Sequence, residues 1–113
     1  MPTFIWIGHD GPRGVELRKQ QRPAHLAGLE PLAAQGRIRF AGPLLAPGGT
    51  PVGSVIILEA PDLESARAIA ARDAYATQGV FERWEVFETT VVFPRTAGAP
   101  GVGSSITRGS LRE

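Results

Sequence analysis

The order in which this chain switches its hydrophobic period constrains its fold more than any one motif does. Thr3-Phe4-Ile5-Trp6-Ile7-Gly8 is a β-branched and aromatic run that ends in the turn cluster His9-Asp10-Gly11-Pro12, so it reads as a first strand. From Gly14 the spacing becomes helical, with Leu17, Leu26, Leu29 and Leu32 marking an apolar face. Pro23 fits the first turn of the main helix, where a missing N–H costs little, and Gly36 is a natural stop. Arg37-Ile38-Arg39-Phe40-Ala41-Gly42 begins by alternating charge with bulk, the period of a strand with one wet face. The loop Pro47-Gly48-Gly49-Thr50-Pro51 leads to a third strand, Val52 to Ala60, dense enough in Val, Ile and Leu to be central. These two strands should pair as a hairpin. Pro61-Asp62-Leu63-Glu64 opens a second helix with Asp62 as N-cap and Leu63, Ala66 and Ala70 on its inner face. Ala74 to Phe81 is short and turn-like, and Glu82 through Phe93 reads as a long last strand.

The resulting order, β-α-β-β-α-β, is the split βαβ pattern of a ferredoxin-like α+β fold: an antiparallel sheet with two helices on one face. The other sheet face lacks a cover. Side chains alternate along a strand, so Phe4 and Trp6 face away from Ile5 and Ile7, and both faces carry apolar groups. A second sheet is the simplest cover, and a symmetric homodimer packed sheet on sheet is expected, hiding Phe4, Trp6, Ile56 or Trp84. With 113 residues there is room for one core. That domain is read as 1–94, followed by a Gly- and Ser-rich tail, 95–113, in which only Val102, Ile106 and Leu111 can pack, on a neighbouring subunit or a crystal mate.

Charge and composition remove several function classes. The formal charge is +1; the tail carries three Arg and one Glu, which leaves the domain at −1 with no basic stripe for nucleic acid. There is no cysteine, which excludes disulfides, thiolate zinc sites and Cys nucleophiles. The N-terminal stretch has no basic segment followed by a long apolar one, and no run reaches the ~18 apolar residues of a membrane span, so a soluble, cytoplasmic protein is expected. No phosphate loop and no metal-ligand spacing stands out, and no cofactor or metal is expected.

The residues able to do chemistry are few. His25 follows Arg22 by three positions, so on a helix both side chains converge on one spot, an arrangement suited to an anionic or polar ligand. The ordinary role of a single histidine there is a solvated or capping one. Asp73 falls near the end of the second helix, where the helix dipole disfavours a carboxylate, so something must hold it: a local pair with Arg72, a turn cap, or an imidazole whose basicity it raises. His9, Asp10 and Asp62 suit turn and cap roles. Ser54 lacks nucleophile-elbow spacing, and Tyr75 and Phe81, with Trp84, either line an apolar pocket or belong to the core.

Arg22-Pro23-Ala24-His25-Leu26 resembles the YciI-like (YCII-related) family of small dimeric ferredoxin-like proteins. Asp10, Arg18, Ala41-Gly42-Pro43, Asp73-Ala74-Tyr75 and Gly79-Val80-Phe81 stand in the family's order, so the likeness covers roughly residues 3–93. Ala74 departs from the proline usual between the Asp and the Tyr; this loosens a turn and removes no reactive group. The resemblance implies a cleft centred on a His–Asp pair, here His25 and Asp73, with Arg22, Ser54, Tyr75 and Phe81 as candidate substrate-binding residues. A related member is a dehydrochlorinase of a chlorinated hydroxyhydroquinone, and the wider dimeric α/β-barrel superfamily includes lactone isomerases and monooxygenases. The implied activity is a lyase or isomerase of small aromatic or unsaturated hydroxy compounds, in which a neutral imidazole removes a proton, the carboxylate steadies the imidazolium, and Arg22 holds the developing phenolate or enolate. The competing expectation is a small-ligand-binding or interaction module in which His25 and Asp73 only clamp two helices together. Catalysis needs one imidazole nitrogen open to a cavity, whereas a clamp does not.

Overall fold

The computed structural model describes residues 1–95, so the tail expectations for Val102, Ile106 and Leu111 lie outside the described residues. The elements are β1 (Thr3–Asp10), α1 (Gly14–Ala34), β2 (Ile38–Leu45), β3 (Pro51–Glu59), α2 (Leu63–Arg72), the single turn α3 (Ala74–Thr77) and β4 (Phe81–Thr89). The strands form one antiparallel sheet in the order β2-β3-β1-β4, with β1 central, which is the ferredoxin-like arrangement. Among the described residues no helix is long and apolar enough to cross a membrane.

Each boundary has a local cause. Gly36 takes φ +73, the left-handed conformation that ends a helix and that glycine adopts without steric cost. Asp62 caps α2 by accepting the Ser65 N–H at 2.8 Å, and this bond holds its carboxyl below the usual carboxylate range. The helical spacing from Gly14 is α1 itself, and only the place of Pro23 needs correction: it and Pro31 lie inside the helix, not in its first turn. Both prolines are exposed, so the carbonyls they leave unpaired can bond to water, and the apolar contacts of the opposite face keep the helix continuous through them. The buried stripe is His25, Leu29 and Leu32, while Leu26 is 43% exposed. Strand β2 runs beyond Gly42 to Leu45, and β4 stops at Thr89 instead of reaching Phe93.

The core lies between the sheet and the helices. Phe4, Trp6, Ile56 and Leu58 project from the central strands onto Ala66 and Ala70 of α2, whose small side chains allow close approach, and onto Leu29 of α1. Trp6 meets Phe81 edge-on at 6.4 Å between ring centroids. This assigns the two sheet faces. Phe4, Trp6 and Ile56 lie under the helices, and Trp84 packs partly against the same core, so these are not the residues that need a partner sheet. The opposite face carries Ile5, Ile7, Val55 and Ile57, with Phe40 and Phe87 each about half exposed. Alternation alone separates the two sets; which set goes inward depends on where the helices land.

Candidate active site

Helix α1 carries Arg18, Arg22, His25 and Leu29 at intervals of four, three and four residues, so one stripe presents them in sequence. His25 is buried, and its Nδ1 lies 2.7 Å from Asp73 Oδ2, although 48 positions separate the two residues. Asp73 ends α2 and begins α3: the same Oδ2 accepts the Tyr75 N–H at 2.8 Å. A carboxylate can only accept, so Nδ1 of His25 carries a proton, and in the neutral imidazole the lone pair is then on Nε2. The His25 ring also stacks on Tyr75, with centroids 3.8 Å apart and planes within 3°. Trp6 Nε1 is the one fully enclosed side-chain nitrogen or oxygen without a hydrogen-bond partner among the described residues. His25 Nε2 has no protein partner either, so it is open to the cavity that His25 lines.

That cavity, about 360 Å³, lies between α1 and the β2–β3 side of the sheet. Its walls are apolar where Leu26, Leu29, Pro43 and Ile56 meet it, and its charged lining is Arg18, Lys19 and Arg22, with no carboxylate. A volume of this size suits a single small ring rather than a polymer. Arg22, Ser54 and Tyr75, three of the expected substrate-binding residues, line it together with His25. Phe81 does not, and here the expectation is corrected: its ring packs edge-on against Tyr75 at 5.6 Å and against Trp6, so it supports the wall from behind as part of the core. Burial pushes the Tyr75 phenol above its ordinary pKa, against the opposing pull of Arg18 and Arg22. Among the described residues no three His, Cys, Asp or Glu side chains gather in a metal-binding group.

Arg18 was missed as a site residue. Its Nε and Nη2 grip the Asp10 carboxylate at 2.7 and 3.0 Å, and Nη2 also reaches the Gly53 carbonyl at 2.7 Å and Ser54 Oγ at 2.9 Å. Asp10 is packed so tightly over the start of α1 that a Cβ on Gly14 would come within 2.6 Å of its carboxylate oxygen. The signal was present in the sequence, because Arg18 stands seven residues, two helical turns, before His25. Its partners could not be read there, since Gly53 and Ser54 belong to a distant strand.

The model of the YCII-related domain matches residues 1–90. The chain belongs to this family. The protein YciI of Escherichia coli is 38% identical over 96 residues, an alignment covering 80% of this YCII-related chain and 98% of that protein. An uncharacterised Haemophilus influenzae protein is 34% identical over 86 residues, covering 69% and 86% of the two chains. Among solved structures, the 5-chloro-2-hydroxyhydroquinone dehydrochlorinase TftG of Burkholderia phenoliruptrix, in complex with 2,5-dihydroxybenzoquinone, superposes with a TM-score of 0.71 at 29% identity. That superposition covers 78% of the YCII-related chain and 93% of TftG.

Proposed function

We propose that this protein is a cytoplasmic, homodimeric lyase or isomerase of small aromatic or unsaturated hydroxy compounds, of the dehydrochlorinase type, with His25 as general acid and base and Asp73 as the residue that orients it. The observation that carries this reading is the open Nε2 of His25 beside a cationic cavity, on a ring whose Nδ1 is committed to Asp73. The structural likeness to a dehydrochlorinase that holds a dihydroxybenzoquinone supports the substrate class.

In this reading Nε2 takes a proton from an acidic O–H or C–H of the ring, and Asp73 stabilises the imidazolium. In an elimination, the imidazolium first returns that proton to the ring carbon bearing the leaving group, making it tetrahedral; loss of a second hydroxyl proton to Nε2 then sends an electron pair through the ring to expel the group as its anion, and the imidazolium gives its proton to solvent. In an isomerisation the imidazolium returns the proton to a different carbon. Arg22 steadies the negative oxygen in between.

The test is activity profiling of wild type against H25A over chlorinated hydroquinones, catechols and muconolactones. A loss of about 10²–10⁴ in kcat on at least one compound is expected. Equal inactivity of both proteins on every compound would instead favour the binding module, with His25 and Asp73 as a clamp between α1 and the α2–α3 junction.

A further inference from the structure

The three cations lining the cavity differ in how they are held. Lys19 and Arg22 stand exposed on α1, whereas the Arg18 side chain is only 12% exposed and is fixed to Asp10, Gly53 and Ser54. Those bonds use Nε and Nη2. Nη1 takes no part in them and is not fully enclosed; the same guanidinium lies 5.1 Å over the Tyr75 ring and favours the ionised form of that phenol, on the cavity that Arg18 and Tyr75 both line. Ser54 faces the same space with its residue 4% exposed. Its Oγ accepts from Arg18, which leaves its own hydroxyl proton available as a donor.

We propose that Arg18 Nη1 and the Ser54 hydroxyl form a subsite for an ionised oxygen, a phenolate or carboxylate oxygen on a small unsaturated ring, and so select monoanionic ligands. The inference rests on the reading of this cavity as the substrate site. Both residues line a cavity whose wall holds no carboxylate, and an arginine already immobilised by Asp10 loses little side-chain freedom when a ligand arrives. Charge-assisted hydrogen bonds of this kind are about twice as strong as neutral ones, and the apolar wall of Leu26, Leu29, Pro43 and Ile56 reduces competition from water. Asp10 is then a positioning residue that aims the guanidinium. An arginine that served only to brace α1 against β3 would be indifferent to the charge of the ligand.

The probe is 4-nitrophenol, whose phenolate absorbs visible light and whose phenol does not. Titrated with wild-type protein at a pH where the free probe is half ionised, it is expected to shift toward the phenolate, which binds about tenfold or more tightly than the phenol. R18K, with its fold checked by circular dichroism, should lose about that factor, and S54A a smaller part of it. Binding of the neutral phenol, no binding at millimolar probe, or an R18K protein that takes up phenolate like wild type would each overturn the assignment. If R18K does not fold, S54A and a wild-type comparison of benzoate with benzamide decide instead: equal affinity for benzoate and benzamide, or S54A indistinguishable from wild type, rejects the subsite. Binding is read here without turnover, so the two readings fail separately. Phenolate selection without His25-dependent turnover defeats only the proton-transfer reading, and turnover without phenolate selection defeats only the subsite.

Discussion

A single carboxylate oxygen, Asp73 Oδ2, closes one helix turn and orients one imidazole at the same time. D73A is therefore expected to cost about 2–4 kcal/mol, from a lost cap and a lost charge-assisted bond, measurable by urea denaturation. D73N should keep much of that stability while lowering kcat, because an amide can still accept from Tyr75 but no longer balances an imidazolium. Equal loss of stability and activity in both variants would argue for a purely structural aspartate. Tyr75 offers a second residue-scale test, being the only tyrosine of the chain. Its phenol is raised above its ordinary value by burial, so the native state holds the proton where the unfolded chain has lost it. Stability from this source is complete below about pH 10 and falls as pH rises through the native pKa. Absorbance at the tyrosinate band should titrate above pH 10 in the native protein and near 10 in denaturant, and Y75F should flatten the alkaline loss of melting temperature.

At the scale of elements, α1 is a helix that carries a local penalty to hold the site. Pro23 removes the N–H that would bond to the Lys19 carbonyl, two residues from His25 and between it and Arg18. P23A should stabilise the protein by about 1–2 kcal/mol, net of the freer unfolded chain, while shifting the stripe that carries the site residues and lowering activity. Denaturant midpoints together with kcat/KM check both halves. The sequence exposed most of this layer: the alternation of periods predicted every major element, and the three-residue spacing of Arg22 and His25 predicted their shared face, whereas Leu26, expected on the apolar face with Leu29 and Leu32, is exposed. What it could not supply was contact across elements. The role of Arg18 depends on Gly53 and Ser54, 35 and 36 residues further on, and the true position of Phe81 depends on Tyr75 and Trp6 closing around it. Pro23 misled for a related reason, since the local rule places a proline in the first turn of a helix, whereas tertiary packing carries this one through it from Gly14.

For the whole molecule, the decisive feature is the sheet face that the described residues leave uncovered. Ile5, Ile7, Val55, Ile57 and Phe87 form its apolar centre, flanked by the His9–Glu85 pair at 2.8 Å and the Arg39–Glu59 pair at 2.9 Å. An apolar centre with a paired polar margin is the anatomy of an interface between copies. Light scattering at micromolar concentration should give twice the chain mass for wild type, and I7E should give a monomer that keeps its secondary structure; a monomeric wild type would reject the proposed homodimer.

The cavity opens on the helix side of the sheet, and the apolar face lies on the other. Two copies joined through that face would hold their cavities back to back, with two β-sheets between them and no moving element shared. Ligand titrations of such a pair should then be hyperbolic, with a Hill coefficient of about 1, each half responding as if its twin were empty.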